Sequence, residues 1–122
     1  MKYRKPLDWI GSSKKDLMDL PIDIKRKIGH SLHLAQIEVD DEDTKPLNGF
    51  GSADVREIVK SDSESTYRAV YTVRFEEKIY VLHTFKKKSK TGKKTPKQDI
   101  DLIKSRLKDA KEKYKEWKKN ES

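Results

Sequence analysis

Apolar residues recur at helical spacing in two stretches of the chain and crowd into strand-like runs in its middle, a pattern that predicts helices packed on a small sheet. In the first helical stretch Ile24, Ile28, Leu32 and Ala35 fall on one stripe while Lys25, Arg26, Lys27 and Glu38 fall largely elsewhere, describing an amphipathic helix that ends near Val39. A shorter helical piece starts near Lys14, after the turn Gly11-Ser12-Ser13 has supplied an N-cap. Leu20-Pro21 separates the two pieces, because the residue before proline disfavours helical backbone and proline suits the first turn of a new helix. Upstream of both, Lys5 to Ile10 reads as a short strand or extended arm.

After an acidic run, Asp40 to Asp43, the segment from Lys45 to Gly51 has the Pro, Asn and Gly content of a turn-rich loop. Three strands follow: a weak one from Val55 to Lys60, a strong one from Tyr67 to Phe75, and one from Ile79 to Phe85 that is apolar on both faces and so central in an antiparallel sheet. Alternation places Tyr67, Ala69, Tyr71, Val73 and Phe75 on one face of the second strand and Arg68, Val70, Thr72 and Arg74 on the other. A two-residue turn at Glu77-Lys78 sets Thr72 opposite His83, Val70 opposite Phe85 and Arg68 opposite Lys87; a loop one residue longer undoes that register. The last helix has the clearest start, with Thr95 as N-cap, Pro96 at the first position, Gln98 completing a capping box, and Asp99 and Asp101 near the positive dipole end. Its seam of Ile100, Ile103, Leu107, Ala110, Tyr114 and Trp117 is expected to pack on the sheet.

Composition narrows the function. Of 122 residues 29 are Lys or Arg and 21 Asp or Glu, a net charge of 29 − 21 = +8, which points to a polyanionic partner. The length suits one domain spanning residues 1–122. The longest apolar run, residues 79–82, is far short of the ~20 residues of a membrane span, and the first residues lack a signal-peptide core. A soluble, cytoplasmic protein with no membrane partner is therefore expected. The absence of cysteine excludes disulfides, thiolate metal sites and Cys nucleophiles.

The cations are the candidate chemistry. Lys86, Lys87, Lys88, Lys90, Lys93 and Lys94 crowd the end of the last strand, and the expected register brings Arg68, Lys87 and nearby His83 together. Like charges directly opposite are destabilising unless an anion comes between them, so this face is a candidate anion-binding surface. Plainer readings stand beside it: the lysines as a solvated loop, Arg68 paired with Glu57 on the neighbouring strand, and His83 as a partly buried structural histidine. His30 and His33 lack a third ligand for a metal, and Gly49-Phe50-Gly51 lacks the rest of a nucleotide loop.

Taken in order, WIGSSKKDLMDLP, KPLNGFG, YRAVYTVRF, IYVLHTFKKKS and TPKQDIDLIKSR resemble the phage-derived branch of HigB-like toxins within the RelE/ParE toxin superfamily, over roughly residues 9 to 110. The resemblance implies an α+β fold of the RelE-like kind, with N-terminal helices and a C-terminal helix packed on a small curved antiparallel sheet. It implies a type II toxin acting as an mRNA interferase: a metal-independent, cofactor-free endoribonuclease that cuts mRNA on the ribosome by 2′-hydroxyl attack, leaves a 2′,3′-cyclic phosphate and inhibits growth. A HigA-like helix-turn-helix antitoxin would neutralise it.

The resemblance assigns Arg68 as the phosphate-binding arginine and Lys87 or Lys88 to transition-state charge or proton transfer. His83 is a candidate acid. Lys86, Lys90, Lys93, Lys94, Arg56 and Arg74 are candidate RNA contacts. Thr95 lies about where related toxins can place a tyrosine acid, a task an alkyl hydroxyl performs poorly. Arg106 matches a recurring arginine with a role that could be structural. The chain departs from the family at Val59, which stands where an arginine follows the conserved-pattern glutamate; Lys60 points to the other face and does not restore it. A non-catalytic RNA- or DNA-binding module and a degenerate antitoxin-binding domain remain the alternatives.

Overall fold

The computed structural model describes residues 4–87 and 94–121. Strand β1 (Leu7–Trp9) leads into helices α1 (Ser13–Met18) and α2 (Ile22–Gln36), then come β2 (Thr44–Pro46), a 3-10 turn (Gly51–Ala53), β3 (Val55–Ser61), β4 (Thr66–Thr72), β5 (Ile79–Lys87) and α3 (Lys97–Glu121). The five strands form one curved sheet in the order β1-β5-β4-β3-β2. The expected α+β architecture holds, with one difference: β1 runs parallel to β5, because both helices intervene before the sheet continues.

The sheet is covered on both faces. Leu17, Ile24, Ile28 and Leu32 of α1 and α2 pack on Ile58, Ala69, Tyr71 and Val81, while Ile103 and Ala110 of α3 pack with Val70, Tyr80 and Leu82. The stripe read from α2 is thus its buried face. That helix closes at Gln36, short of Val39, because Glu38 turns left-handed (φ 59°) and the Val39 N–H bonds back to the Leu34 carbonyl at 2.9 Å. Pro21 takes the N-cap position, one place before the first helical turn.

Two strand expectations are corrected. The Thr44–Pro46 segment, whose Lys45 and Pro46 belong to the expected loop, pairs antiparallel with β3 as an edge strand, a place where Pro46 needs no ladder partner on its outer side. Strand β4 stops at Thr72 and does not continue to Phe75. The Thr72 hydroxyl donates to the Ala53 carbonyl at 2.6 Å, and the Val73 N–H bonds to the Asp54 carbonyl at 3.1 Å, which draws the chain away from β5.

The connection between β4 and β5 therefore spans residues 73–78, longer than a two-residue turn, and the register moves. Arg68 stands opposite Phe85, Val70 opposite His83 and Thr66 opposite Lys87, so the expected facing pairs Arg68 with Lys87 and Thr72 with His83 do not form. Between Val70–His83 and Tyr71–Val81 the ladder skips Leu82, a β-bulge. Leu82 and His83 consequently both serve the α3 side, and Phe85 and Lys87 follow them there.

Arg106 anchors the bulge. Its Nη1 donates to the Leu82 carbonyl at 3.0 Å and its Nη2 to the Ser12 hydroxyl at 3.0 Å, lying directly over Gly11. Gly11 has φ +56°, and a Cβ there would sit 2.8 Å from Arg106 Nε. Gly11→Ala is expected to lose about 1–2 kcal/mol from backbone strain alone. It should also release Arg106, which a thermal melt detects as non-additivity with Arg106→Ala. At the other end of α3, the Tyr114 ring lies tilted against Phe75 (4.5 Å between centroids) and the Trp117 ring centroid lies 5.0 Å from the Lys78 ammonium, so these last turns meet the β4–β5 connection, where the sequence reading expects the sheet.

Candidate functional site

Three cross-strand rows build the α3 face of the sheet. Lys45, Glu57, Val70 and His83 share the first; Val59, Arg68 and Phe85 the second; Ser61, Thr66 and Lys87 the third. Residues paired across strands share a face, so Arg68 and Lys87 are diagonal neighbours, two positions apart on adjacent strands, with their side chains on the same side. The expected meeting of these two cations is kept, by a different register.

Arg68 and Glu57 form a buried ion pair, Nη1 to Oε1 at 2.8 Å, with the residues 5% and 1% exposed. A carboxylate this deep must be fully hydrogen-bonded, and its second oxygen accepts from the Thr95 hydroxyl at 2.8 Å. Thr95 in turn accepts from Arg68 Nη1 at 3.3 Å, closing a ring of three side chains. The hydroxyl expected as the helix N-cap is directed into the sheet, and α3 begins at Lys97 with the Asp99 and Ile100 N–H groups bonded to the Pro96 carbonyl.

Lys87 is 6% exposed. Burial pushes its ammonium below the usual lysine range; the like charge of Arg68 pushes the same way, Lys45 adds to it, and Glu57 partly opposes them. His83 is also buried, stacked on Phe85 at 4.5 Å, with Nε2 bonded to Asp99 Oδ1 at 2.7 Å. Its Nδ1 has no hydrogen-bond partner among the described residues. Asp99, read from sequence as a dipole-complementing residue, thus also orients an imidazole.

The other candidates disperse. Arg56 lies on the opposite face, paired with Asp54 at 3.2 Å, and Arg74 lies past the far end of β4 over the Phe75 ring. Neither joins Arg68, because strand alternation sends residue 56 to the α2 side and β4 ends before residue 74. Lys86 is exposed and faces away from Lys87, opposite Tyr67. Lys94 is exposed immediately before Thr95. Lys88, Lys90 and Lys93 lie outside the described residues. Val59 stands directly opposite Arg68, so the departure from the family pattern falls inside the cluster; Lys60 faces the other way and bonds Asp43 at 2.6 Å. Lys45 is the residue the sequence missed: exposed on β2, it reaches the cluster only through a three-residue edge strand too short to show alternation.

A cleft of about 620 Å³ opens elsewhere, between the end of α2 and strands β2 and β3. Arg56 and Lys5 line it, matched there by Asp54 and Glu38. The concentration of buried cations lies on the other face.

The five-stranded sheet, with two helices on one side and a long C-terminal helix on the other, resembles a solved toxin structure. A double arginine-to-alanine mutant of the Escherichia coli toxin RelE in the free state superposes with a TM-score of 0.53 at 18% identity, over 88% of this chain and 97% of that one. Residues 15–108 match the family described as phage derived protein Gp49-like (DUF891), and the chain belongs to that family. The phage-derived resemblance read from the sequence is borne out, and so is the RelE-like fold it implied. Comparison with curated protein sequences gives no match. Among the described residues no helix is long and apolar enough to cross a membrane.

Proposed function

We propose that this protein is the toxin of a toxin–antitoxin pair and that it acts as a ribosome-dependent mRNA endoribonuclease. The observation that carries the reading is the placement of Arg68 and Lys87 as diagonal neighbours on one face of a RelE-like sheet, with His83 on the same face. In this reaction the ribose 2′-hydroxyl gives up its proton to solvent as its oxygen attacks the adjacent phosphorus, the bond from phosphorus to the 5′-oxygen breaks, and a 2′,3′-cyclic phosphate and a 5′-hydroxyl result. Arg68 and Lys87 offset the charge that builds on the phosphoryl oxygens. Lys87, whose proton is held less tightly than an ordinary lysine's, or His83, passes a proton to the leaving 5′-oxygen. Lys45 and Lys94 provide exposed charge for the message, with Lys88, Lys90 and Lys93 assigned the same task from sequence. The proposed partners are the ribosome with its mRNA and a HigA-like helix-turn-helix antitoxin, and the proposed site of action is the cytoplasm.

One observation favours a second reading. The Arg68 charge is already matched by buried Glu57, as in a purely structural ion pair, which suits a non-catalytic RNA- or DNA-binding module or a degenerate antitoxin-binding domain.

The two readings part on Arg68→Lys, which keeps the charge and loses the planar fork. Wild type and variant are expressed inducibly and cut sites are mapped by primer extension, on a translated reporter mRNA and on the same message without its start codon. Cleavage confined to the translated message and reduced at least ~10²-fold in the variant is the expected result. Well-folded wild type that neither cuts nor arrests growth would leave the binding reading in its place.

A further inference from the structure

We infer that Thr95 is a positioning residue for Arg68, its hydroxyl fixing the guanidinium for the reaction proposed above, on which this inference rests. Glu57 holds Arg68 through Oε1, while its Oε2 is bound by the Thr95 hydroxyl, which accepts from the same Arg68 Nη1. Two points of attachment on one nitrogen define a direction as well as a distance. The planar fork of a guanidinium engages two oxygens of a phosphoryl group only when it is oriented, so this second point bears on chemistry and not merely on pairing.

The hydroxyl has one proton, and it goes to Glu57. Thr95 is thereby removed as a source of the proton for the leaving oxygen and acts through Arg68. The helix start that carries it is itself secured: the Pro96 carbonyl accepts from the N–H groups of Asp99 and Ile100, and Asp99, one turn on, is bonded to His83 on β5. Arg68 lies mid-sheet on β4. Thr95 therefore ties the reference frame of α3 to that of the sheet at the point where the candidate reacting groups meet.

The test compares wild type with Thr95→Val, which keeps the shape and loses both hydrogen bonds, and Thr95→Ser, which keeps the hydroxyl. Single-turnover cleavage of ribosome-bound mRNA is measured against toxin concentration. Thr95→Val is expected to lower the saturating rate ~10–100-fold, the scale of a small misplacement of a reacting group. The half-saturating concentration and its salt dependence should change less than ~2-fold, because no phosphate-contacting charge is removed. Thr95→Ser should recover most of the rate, and in an Arg68→Lys background Thr95→Val should have little further effect. If Thr95→Val does not fold, Thr95→Ala takes its place in the same series.

A saturating rate that stays at the wild-type value while the melting temperature falls would make Thr95 purely structural and overturn the inference. So would equal losses in the Ser and Val variants. Wild type that fails to cut a translated message overturns the nuclease reading and this inference together, whereas active wild type with an unaffected Thr95→Val variant overturns this inference alone.

Discussion

Glu57→Ala is expected to destabilise the protein by about 3–5 kcal/mol, the range for removing one member of a buried ion pair. Small domains hold only about 5–15 kcal/mol in total, so the variant should lie near its unfolding threshold. The loss arises because the Arg68 guanidinium is left in the interior without its carboxylate and the Thr95 hydroxyl without its acceptor. Urea titration at neutral pH checks it. A double replacement, Glu57→Leu with Arg68→Met, should regain most of that stability, since no charge then remains buried, while abolishing any RNA cleavage. A shift below ~1 kcal/mol for Glu57→Ala would mean that water reaches the pair, contrary to the depth described above.

Lys87→Met should behave in the opposite way: RNA cleavage falls by roughly 10²–10⁴, the range for loss of a positioned proton donor, with folding intact or improved. The folded protein holds the Lys87 proton less tightly than the unfolded chain does, because burial and the Arg68 charge disfavour the ammonium. Between the lowered folded value and the ordinary 10.5 the unfolded state therefore binds more protons, and this group's contribution to stability rises as the pH rises through that window. Lys87→Met removes that rise. Stability curves of wild type and variant, measured from neutral to alkaline pH, should converge toward the upper end. A variant that is less stable than wild type at neutral pH would show that Lys87 gains more from Glu57 than it loses to burial.

Element positions were largely legible in the chain because local chemistry dictates them. The stripe from Ile24 to Leu32 became the buried face of α2, Pro21 separated the two helices, and the β-branched run around Val70 became a central strand. Local chemistry also separated Arg68 from the more apolar face of β4 and made Glu57 available as its partner. It could not set the register between β4 and β5. That depended on Thr72 bonding to the Ala53 carbonyl, which shortened β4, and on the bulge at Leu82, whose carbonyl is satisfied by Arg106 from α3. These partners lie 19 and 24 residues away in sequence, and no window of alternation contains them.

The same division runs through the site. By itself the sequence determined that Arg68 leaves the more apolar face of β4 and that His83 and Lys87 belong to the strand that follows it, since residue type and strand period are properties of neighbouring residues. Only the tertiary structure decided which of them meet. It brought in Lys45 by an edge strand, sent Arg56 and Lys86 to the other face, drew Thr95 off its helix cap onto Glu57, and gave His83 to Asp99. Each of those choices satisfies a buried charge or hydrogen-bonding group with one distant in the chain. A buried polar atom must find its partner in space, and sequence spacing does not say where that partner will be.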